Sequence, residues 1–556
     1  DFLMWYNNTD VGPFLEAIEV QVCMYKEKGI DMLKECVSLP GAAHLWLMQV
    51  CDHSRKVVVP RTWINFCKKI SSDVELREHI RRQIPVMNIH QDYQELYTKC
   101  RKNTVGGPSI IFHRYHEAHV TRIREAEYGS GGEYCQNIQG FDANALYAFC
   151  VAQAQPVGHP IVCTYSENVL SESSRPASSG WSIKCHVWLS YLSAKYGYPI
   201  QYHHNGGEVA LGRHGVRVDG YDSNSNTVFE FLGCYWHGHG CCSNNEVTEE
   251  VTEQRTKRFD ATCNKVTYLT RLGYNVVTTW ECEWDKTVRE NTTASRFNRL
   301  FREEWYPSKP SLATIVSVLR SVRDGSFFGL IECDIHVPEQ LYDKFSEMSP
   351  LFGHAKLGDE ILSDHMRSYV RKSKMSPSAC RGLVGVMSAK KMLLHSDLLK
   401  WYLGEGLVVS KIHSTYRYVK RVAYRDFVDQ ATAARRAGDA DPSLSLHANM
   451  AKLSVNSVYG KTITNKENHR NIVYSKDTNH ISSVIASDRF VSLDELGDIC
   501  ELVKHKKSLC MNVPVVIGFC ILQLAKLRML QFYYNCIDRY IDRKHFQYIE
   551  MDTDSA

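Results

Sequence analysis

Helical and extended apolar patterns alternate along the whole chain, and this alternation constrains the fold more than any other feature. Helical spacing covers residues 13–36, 186–196, 252–272, 447–459 and 513–541. Extended patterns lie near residues 200 and 228 and at 275–280 and 545–551, and both kinds alternate over 326–407. No fixed-period repeat or Gly/Ser-rich linker interrupts them. The sequence therefore predicts a mixed α/β (α+β) protein, and its 556 residues predict two to four packed units at about 150 residues each.

The net charge and the cysteine content narrow the classes of protein to which this chain can belong. The 66 Lys+Arg and 62 Asp+Glu leave a net charge of +4, which excludes a polybasic protein that holds nucleic acid by net charge alone. The 20 cysteines are too sparse for a disulfide scaffold, which favours a reducing, intracellular compartment. The longest uninterrupted apolar run, 513–522, is too short to span a bilayer, so we expect no membrane partner.

The last extended pattern runs into Asp552 and Asp554. If the strand continues through them, both carboxylates lie on one side while Thr553 points away, and they can bind one magnesium ion. An ordinary solvated turn or a helix N-cap fits the same residues. The chain begins at Asp1 and stops at Ala556, inside this segment, so we expect it to be a fragment of a longer protein.

Two further segments carry polar residues that suggest a binding site. In residues 447–461, HANMAKLSVNSVYGK, a helix closed by Gly460 would carry Lys452, Asn456 and Tyr459 at i, i+4 and i+7 on one stripe. An ammonium, an amide and a ring suit a nucleoside triphosphate, although a plain amphipathic helix has the same pattern. Asp142 lies in the strand-like run GFDANALYAF, where its carboxylate needs a metal or a partner, unless it caps a helix.

In this order, the three segments resemble motifs A, B and C of family B DNA polymerases, especially the protein-primed branch of phages, adenoviruses, linear plasmids and Maverick/Polinton-type elements. The resemblance implies a palm and fingers in which Asp142 and Asp554 hold two Mg²⁺ ions and Asp552 supports them. It also implies that Tyr147 excludes a ribose 2′-OH. Contacts with the incoming nucleotide are implied for Lys452, Asn456 and Tyr459. Ala145 and Ala148 depart from the family pattern, which more often has Ser and Pro, but neither position binds metal.

The N-terminal YNNTD resembles the Tyr-x-x-x-Asp third motif of a proofreading 3′-5′ exonuclease. The resemblance implies that Asp10 binds metal and Tyr6 orients water, in a remnant of an RNase H-like domain that cannot proofread without its first two motifs. A chance match of two fixed positions is the alternative.

The 310 positions from Asp142 to Lys452 exceed what a palm needs, so a domain is inserted. RVDGYD, TVFEFLGCYWHGHGCC and LGYNVVTTWEC, within residues 180–286, resemble very-short-patch-repair endonucleases of the restriction-endonuclease-like PD-(D/E)xK fold. By position, Asp219 would be a metal-binding carboxylate and His237 a general base. In the more general pattern of these nucleases, Glu230, eleven positions after Asp219, would instead be the second carboxylate. Position 232 is Leu rather than the lysine of a Glu-x-Lys pair. A DNA-binding domain that has lost cleavage is the alternative.

The same resemblance implies a structural zinc site, whose ligands are Cys234, His239, Cys241 and Cys282. Three thiolates and one imidazole are a common ligand set for structural zinc. Buried thiols with loop histidines are the alternative reading of these residues.

The predicted organisation is an exonuclease remnant (1–100), the start of the palm with motif A (101–170), the endonuclease-like insertion (171–310), palm and fingers with motif B (311–480) and palm with motif C, truncated before the thumb (481–556). The predicted function is a DNA-directed DNA polymerase replicating a viral or mobile-element genome, with primer-template DNA, dNTPs and a terminal priming protein as partners. Its expected location is the host nucleus or a viral replication site. Alternatives are an inactive DNA-binding relic of an integrated element and a nuclease on a polymerase scaffold.

Overall fold

The computed structural model describes residues 2–36, 38–51, 73–84, 94–104, 106–107, 109–113, 115–143, 145–174, 182–240, 249–306, 314–358, 362, 364–373, 380–509 and 513–556. Helices and sheets are interspersed along these residues, which confirms the mixed class predicted from the sequence.

The α-helices of the described residues are, in chain order, α1 (Phe2–Glu27), α2 (Met32–Glu35), α3 (Leu39–Cys51), α4 (Asp73–Gln83), α5 (Gln94–Asn103), α6 (Glu125–Tyr128), α7 (Leu146–Val151), α8 (Ile183–Tyr196), α9 (Glu249–Arg271), α10 (Glu281–Glu290), α11 (Thr292–Trp305), α12 (Ile315–Asp324), α13 (Asp364–Lys372), α14 (Ser396–Gly404), α15 (Arg425–Ala440), α16 (Ser445–Thr462), α17 (Thr478–Ile485), α18 (Val515–Gln531) and α19 (Asp538–Tyr540).

The strands are β1 (Ser109–Ile111), β2 (Gln155–Ser166), β3 (Val169–Ser174), β4 (Gln201–Tyr202), β5 (Val209–Leu211), β6 (Val216–Val218), β7 (Gly220–Asp222), β8 (Thr227–Leu232), β9 (Asn275–Trp280), β10 (Gly329–His336), β11 (Leu351–Leu357), β12 (Cys380–Val386), β13 (Ser388–His395), β14 (Val408–Arg421), β15 (Arg470–Ser475), β16 (Phe490–Leu496), β17 (Ile499–His505) and β18 (Glu550–Asp552).

The chain divides into two compact units. Unit 1 comprises Asp1–His44, Ile89–Val151 and Ala431–Ala556. Its core is built on α18, which packs against α7 and α16 and is buried along most of its length. The helical run Val515–Tyr540 is long and apolar enough to cross a membrane, but 72% of its most apolar window is buried inside the structure, as in the core helix of a soluble protein. Short sheets β1-β18 and β15-β17-β16 complete this unit.

Unit 2 comprises Leu45–Asn88 and Ala152–Gln430. A five-stranded antiparallel sheet, in the order β13-β10-β14-β2-β3, forms one part of it. Another part is a four-stranded sheet in the order β4-β7-β8-β9, in which β8 and β9 run parallel and the remaining pairs run antiparallel, and two-stranded sheets β5-β6 and β11-β12 also belong to this unit. The four strands of this second sheet lie within residues 171–310, where the sequence predicts an insertion.

Several predicted elements are confirmed, and three need correction. Helices α8, α9 and α16 and strand β9 lie where periodicity placed them. The helix predicted at 13–36 is wrong in its bounds, because α1 begins at Phe2 and stops before Gly29, whose φ of +74° is left-handed. The strand predicted at 545–551 is reduced to Glu550–Asp552, because only these residues pair with β1. The long helix at 513–541 changes to π-helical geometry over Phe532–Ile537.

Candidate active sites

The turn that ends unit 1 holds Asp552 and Asp554. Strand β18 pairs with β1 so that Asp552 lies opposite Ser109, and the strand then stops. Thr553 has a φ of +56°, and the N–H groups of Asp554 and Ser555 donate to the Asp552 carbonyl at 2.6 and 3.0 Å. The expected side-chain alternation of a continuing strand is therefore wrong, because the chain turns at Thr553.

Asp142 reaches this turn through backbone pairing. The Phe141 N–H donates to the Ala556 carbonyl at 2.7 Å, and the Ala556 N–H donates back to Phe141 at 2.8 Å. The Ala143 N–H donates to the Asp554 carbonyl at 2.7 Å, and Asp142 itself forms an antiparallel bridge with Ser555. Two segments more than 400 positions apart in sequence thus run side by side.

The charges at this turn interact. Burial raises the pKa of Asp554 above its usual value, and the negative charges of Asp142 and Asp552 raise it further, while the Lys452 ammonium acts in the opposite direction. Mutually repelling carboxylates need a compensating cation, and carboxylate oxygens are the ligands that Mg²⁺ prefers. The residues present therefore fit a magnesium site, with Lys452 at its edge.

Helix α16 presents the predicted stripe. Lys452 and Asn456 are exposed and Tyr459 is half-buried, while the adjoining face of the helix is buried. The helix continues past Gly460 to Thr462, so the predicted closure at Gly460 is wrong. The buried face, which holds the stripe towards solvent, consists of Ala448, Ala451, Ser454, Val455, Val458 and Thr462.

An aromatic pair lies next to the carboxylates. The rings of Tyr147 and Tyr459 stack at a centroid distance of 4.4 Å and an angle of 19°. Tyr147 is on α7, which begins directly after Ala145, a residue with a φ of +58°. The strand-like run expected around Asp142 is therefore wrong beyond the bridge, because the chain becomes helical at Leu146.

Burial is the main cause that raises the pKa of both tyrosines, so both phenols are neutral at physiological pH. The charges of Asp554 and Asp552 also raise the pKa of Tyr147, which indicates how near the stack lies to the carboxylates. The stacked rings of Tyr147 and Tyr459 thus lie beside the Lys452 ammonium and the three carboxylates.

In unit 2, Asp219 and Glu230 form a second pair of acidic side chains. Asp219 directly precedes β7, and Gly220 of β7 lies opposite Phe229 of β8, the residue before Glu230. The Phe231 N–H donates to Asp219 Oδ2 at 2.8 Å. Every residue of β8 is buried, and the alternation of the strand puts Phe229 and Phe231 on the face that contacts Trp188 of α8, with Glu230 on the other face.

Helix α9 covers the Glu230 face of β8. Leu269 of this helix packs in a cluster with Val228, and Lys265, one turn earlier, reaches Glu230. Lys265 Nζ lies 2.8 Å from both carboxylate oxygens of Glu230 and donates a hydrogen bond to Oε2. The ammonium therefore pairs with the whole carboxylate group of a buried glutamate. The sequence interpretation missed Lys265, whose only signal was its helical register with Leu269.

The electrostatics of this pair follow from its burial. Burial, with the charge of Asp219, raises the pKa of Glu230 to about 7, and burial raises the pKa of Asp219 as well. Lys265 acts against both shifts. His237 Nδ1 lies 3.0 Å from Thr262 Oγ1, and burial together with the Lys265 charge lowers the pKa of His237. His237 is therefore neutral at pH 7 and retains a basic ring nitrogen.

A candidate metal centre lies beyond the end of β8. Ligand atoms of Cys234, His239 and Cys282 lie within 4.8 Å of one another, with His239 Nδ1 at 3.5 and 3.4 Å from the two sulfur atoms. Zn–S bonds of about 2.3 Å and Zn–N bonds of about 2.1 Å place tetrahedral ligands about 3.6 Å apart, so this trio fits zinc. The Trp280 ring stacks on His239 at 4.0 Å and fixes its plane. Cys241 lies outside the described residues.

The two residues assigned to the exonuclease remnant, Tyr6 and Asp10, lie on α1. They are separated by one helical turn, and their side chains lie outside the described part of the structure. Their predicted roles stay predictions.

No protein-family model matches the chain. A curated relative is the Type II nicking enzyme V.NmeAIP of Neisseria meningitidis serogroup A / serotype 4A, which is 32% identical over 84 residues, covering 15% of this chain and 58% of that protein. Among solved structures, Phi29 DNA polymerase in an orthorhombic crystal form matches 88% of this chain and 49% of its own, with 12% identity and a TM-score of 0.32. Its complex with primer-template DNA matches 92% of this chain and 50% of its own, at 12% identity and a TM-score of 0.31. This chain thus spans less than two thirds of each, and overall similarity to the polymerase is too low to assign a fold.

Proposed function

We propose that unit 1 carries the nucleotidyl-transfer site of a family B DNA-directed DNA polymerase of the protein-primed branch. The observation that carries the proposal is the backbone pairing of residues 141–143 with 554–556, which brings Asp142 to Asp554 and Asp552. The three motifs resemble those of the family in their residues and in their order along the chain, and the backbone pairing supports the resemblance by bringing two of the motifs together.

The side chains have separate tasks in this reaction. Asp142 and Asp554 would hold two divalent cations, with Asp552 in support, and cations bound there would supply charge stabilisation for in-line transfer to the primer 3′-oxygen. Lys452 neutralises the triphosphate as a point charge, and Asn456 contacts the incoming nucleotide. Tyr147, backed by the Tyr459 ring, closes the space that a ribose 2′-OH needs.

Primer-template DNA and dNTPs are the partners of this proposed site, with a terminal protein as primer. A viral or mobile-element origin and location at the site of genome replication in the host belong to the same proposal. The zinc trio of the insertion is assigned a structural role.

The test compares purified protein with the variants Asp142→Asn and Asp554→Asn. We expect Mg²⁺-dependent extension of a labelled primer by the wild type and its loss in both variants, because neutral amides do not compensate the cation charge. Asp494→Asn, at an exposed site on β16, is the matched control and should extend like the wild type. Extension by either active-site variant at the wild-type rate, with unchanged melting of the protein, refutes the assignment.

A second candidate function is DNA nicking by the insertion. It is favoured by the neighbouring carboxylates of Asp219 and Glu230, by the metal trio and by the 32% identity with a nicking enzyme over 84 residues. Supercoiled plasmid should be converted to the nicked form with Mg²⁺ or Mn²⁺ by the wild type and by Asp260→Asn, a variant at an exposed position on α9. Asp219→Asn should not nick. Plasmid that stays supercoiled with the wild type in both metals excludes this activity.

A further inference from the structure

The Glu-x-Lys spacing of the PD-(D/E)xK pattern is broken on β8, but the structure holds an ammonium at the same carboxylate. Two positions after Glu230 lies Leu232, which is 4% exposed and belongs to the core. A lysine at that position would have to bury its charge. Helix α9 instead extends Lys265 over Glu230, with Nζ 2.8 Å from both oxygens.

The helical register of α9 explains why Lys265 lies next to Glu230. Thr262, Lys265 and Leu269 lie at i, i+3 and i+7 and so share one face. Thr262 contacts His237, Lys265 contacts Glu230, and Leu269 packs against Val228. The helix face is thus aligned along β8 and the loop that follows it, and Lys265 contacts Glu230 close enough to Asp219 for its charge to act there.

The surroundings of Lys265 differ from those of a surface ion pair. Glu230 is 2% exposed, whereas the Lys265 side chain is 31% exposed, so the ammonium lies between a buried carboxylate and solvent. The charge of Lys265 also acts on Asp219 and His237. The Lys265 ammonium therefore interacts with Glu230, Asp219 and His237 from the solvent-facing side of a buried acidic pair.

We propose that Lys265 is the catalytic lysine of a phosphodiester-hydrolysing site formed with Asp219 and Glu230, supplied by a helix instead of by the strand. This inference rests on the proposed nicking function of the insertion. The Lys265 ammonium contacts a non-bridging oxygen of the scissile phosphate and stabilises the negative charge that accumulates there in the transition state.

The reaction consumes one water molecule. The water oxygen forms a new bond to phosphorus, and the bond from phosphorus to the 3′-oxygen breaks with its electron pair on that oxygen. The 3′-oxygen takes a proton from solvent, the attacking water releases a proton to solvent, and the products are a 5′-phosphate and a 3′-hydroxyl. Lys265 remains protonated throughout.

Three variants separate this role from that of a structural ion pair. Lys265→Met removes the charge, Lys265→Arg keeps the charge and the pairing with Glu230 but changes the donor geometry, and Lys257→Met is the matched control. Lys257 lies on the same helix and pairs with Glu253 at an exposed position. All are made in the full chain, and single-turnover nicking of supercoiled plasmid is measured in Mn²⁺.

We expect Lys265→Met to nick at least about 100-fold more slowly than the wild type and Lys265→Arg at least about 10-fold more slowly, with Lys257→Met unchanged. Lys265→Arg should melt like the wild type. A role in structure alone predicts that Lys265→Arg, with its melting temperature preserved, nicks at the wild-type rate, and that result overturns the proposal.

The second readout is cation affinity, measured by calorimetric titration of Mn²⁺ into each variant on an Asp554→Asn background that weakens the site of unit 1. Removal of a positive charge from beside two carboxylates should tighten Mn²⁺ binding by roughly tenfold in Lys265→Met. Unchanged or weaker binding shows that the ammonium is outside the cation site and overturns the proposal. A wild type that nicks no DNA removes the nicking function itself, whereas a wild type and Lys265→Met that nick equally remove only the role of the lysine.

Discussion

Gly107 is expected to control the position of the turn that carries Asp552 and Asp554. A Cβ added at Gly107 would lie 2.5 Å from Thr553 Cγ2 and 2.7 Å from Thr553 Cβ, although real Cβ atoms essentially never approach within 3.0 Å. Rotation of the threonine side chain moves Cγ2 but leaves its Cβ in place. Gly107→Ala therefore forces the backbone of the turn to move.

The expected loss of stability in Gly107→Ala is the difference between two opposing effects. Forced overpacking costs about 1–3 kcal/mol, and replacing glycine in the unfolded chain by alanine returns about 0.4–1 kcal/mol. We expect Gly107→Ala to lower the free energy of unfolding of unit 1 by about 1–2 kcal/mol. Thr553→Gly removes the contacting atoms and suits the φ of +56°, so the double variant should regain most of this loss. Thr553→Ala keeps the Cβ at 2.7 Å and should restore less.

The assay is hydrogen exchange of the peptide 546–556, measured together with primer extension. Gly107→Ala should exchange faster and extend more slowly, and Gly106→Ala is the matched control because no atom lies within 4 Å of a Cβ added there. The reasoning fails if Gly107→Ala and Thr553→Gly act additively, since additive effects mean that the two positions do not touch.

Three more outcomes are expected. Tyr147→Ala should raise ribonucleotide incorporation relative to dNTPs by about tenfold or more in primer extension, and an unchanged ratio makes Tyr147 only a core ring. Purified protein should contain one zinc per chain and Cys282→Ser none by elemental analysis, and equal zinc content removes the site. Burial acts to raise the pKa of Asp334, but hydrogen bonds from the Lys391 N–H at 2.8 Å and from His413 outweigh it and lower the pKa. The stability that this carboxylate contributes is present at neutral pH and is lost as the pH falls through the lowered pKa. Asp334→Asn should therefore lower the free energy of unfolding by about 2 kcal/mol at pH 7 and leave it unchanged near pH 2. Equal free energies of unfolding for the variant and the wild type at pH 7 contradict this expectation.

Elements with strong periodicity could be predicted because local sequence decides them. Helix α16 has a buried face at helical spacing, and β9 is a β-branched run between polar turns. The strand predicted at 545–551 was too long, because His545 ends a 3-10 helix (Arg543–His545) and regular strand pairing begins only at Glu550. Phe112 N–H donates to the Ile549 carbonyl at 2.8 Å, but Tyr548 is held mainly by rings, with centroids of Phe112 and Tyr533 at 5.6 and 5.1 Å.

Long-range pairing lies outside what periodicity can predict. No local pattern indicates that Phe141 exchanges hydrogen bonds with Ala556, and the convergence of Asp142 with Asp554 was expected only through family resemblance. The zinc trio could be predicted only in part. The spacing of Cys234 and His239 on one loop was visible in the sequence, while the position of Cys282 beside them depends on β9 running parallel to β8.

Lys265 shows why a linear motif can fail while its chemistry persists. A strand fixes the side chain two positions after Glu230 on the same face, and on β8 that position, Leu232, lies in the core. An ammonium serving Glu230 must therefore come from a neighbouring element, and α9 is the element that covers this face. In sequence, α9 is polar with a narrow apolar face, so a lysine beside Leu269 looks like one more solvated charge. The absence of lysine at position 232 is thus no argument that the acidic pair has lost its function, because the lysine contacting Glu230 comes from position 265.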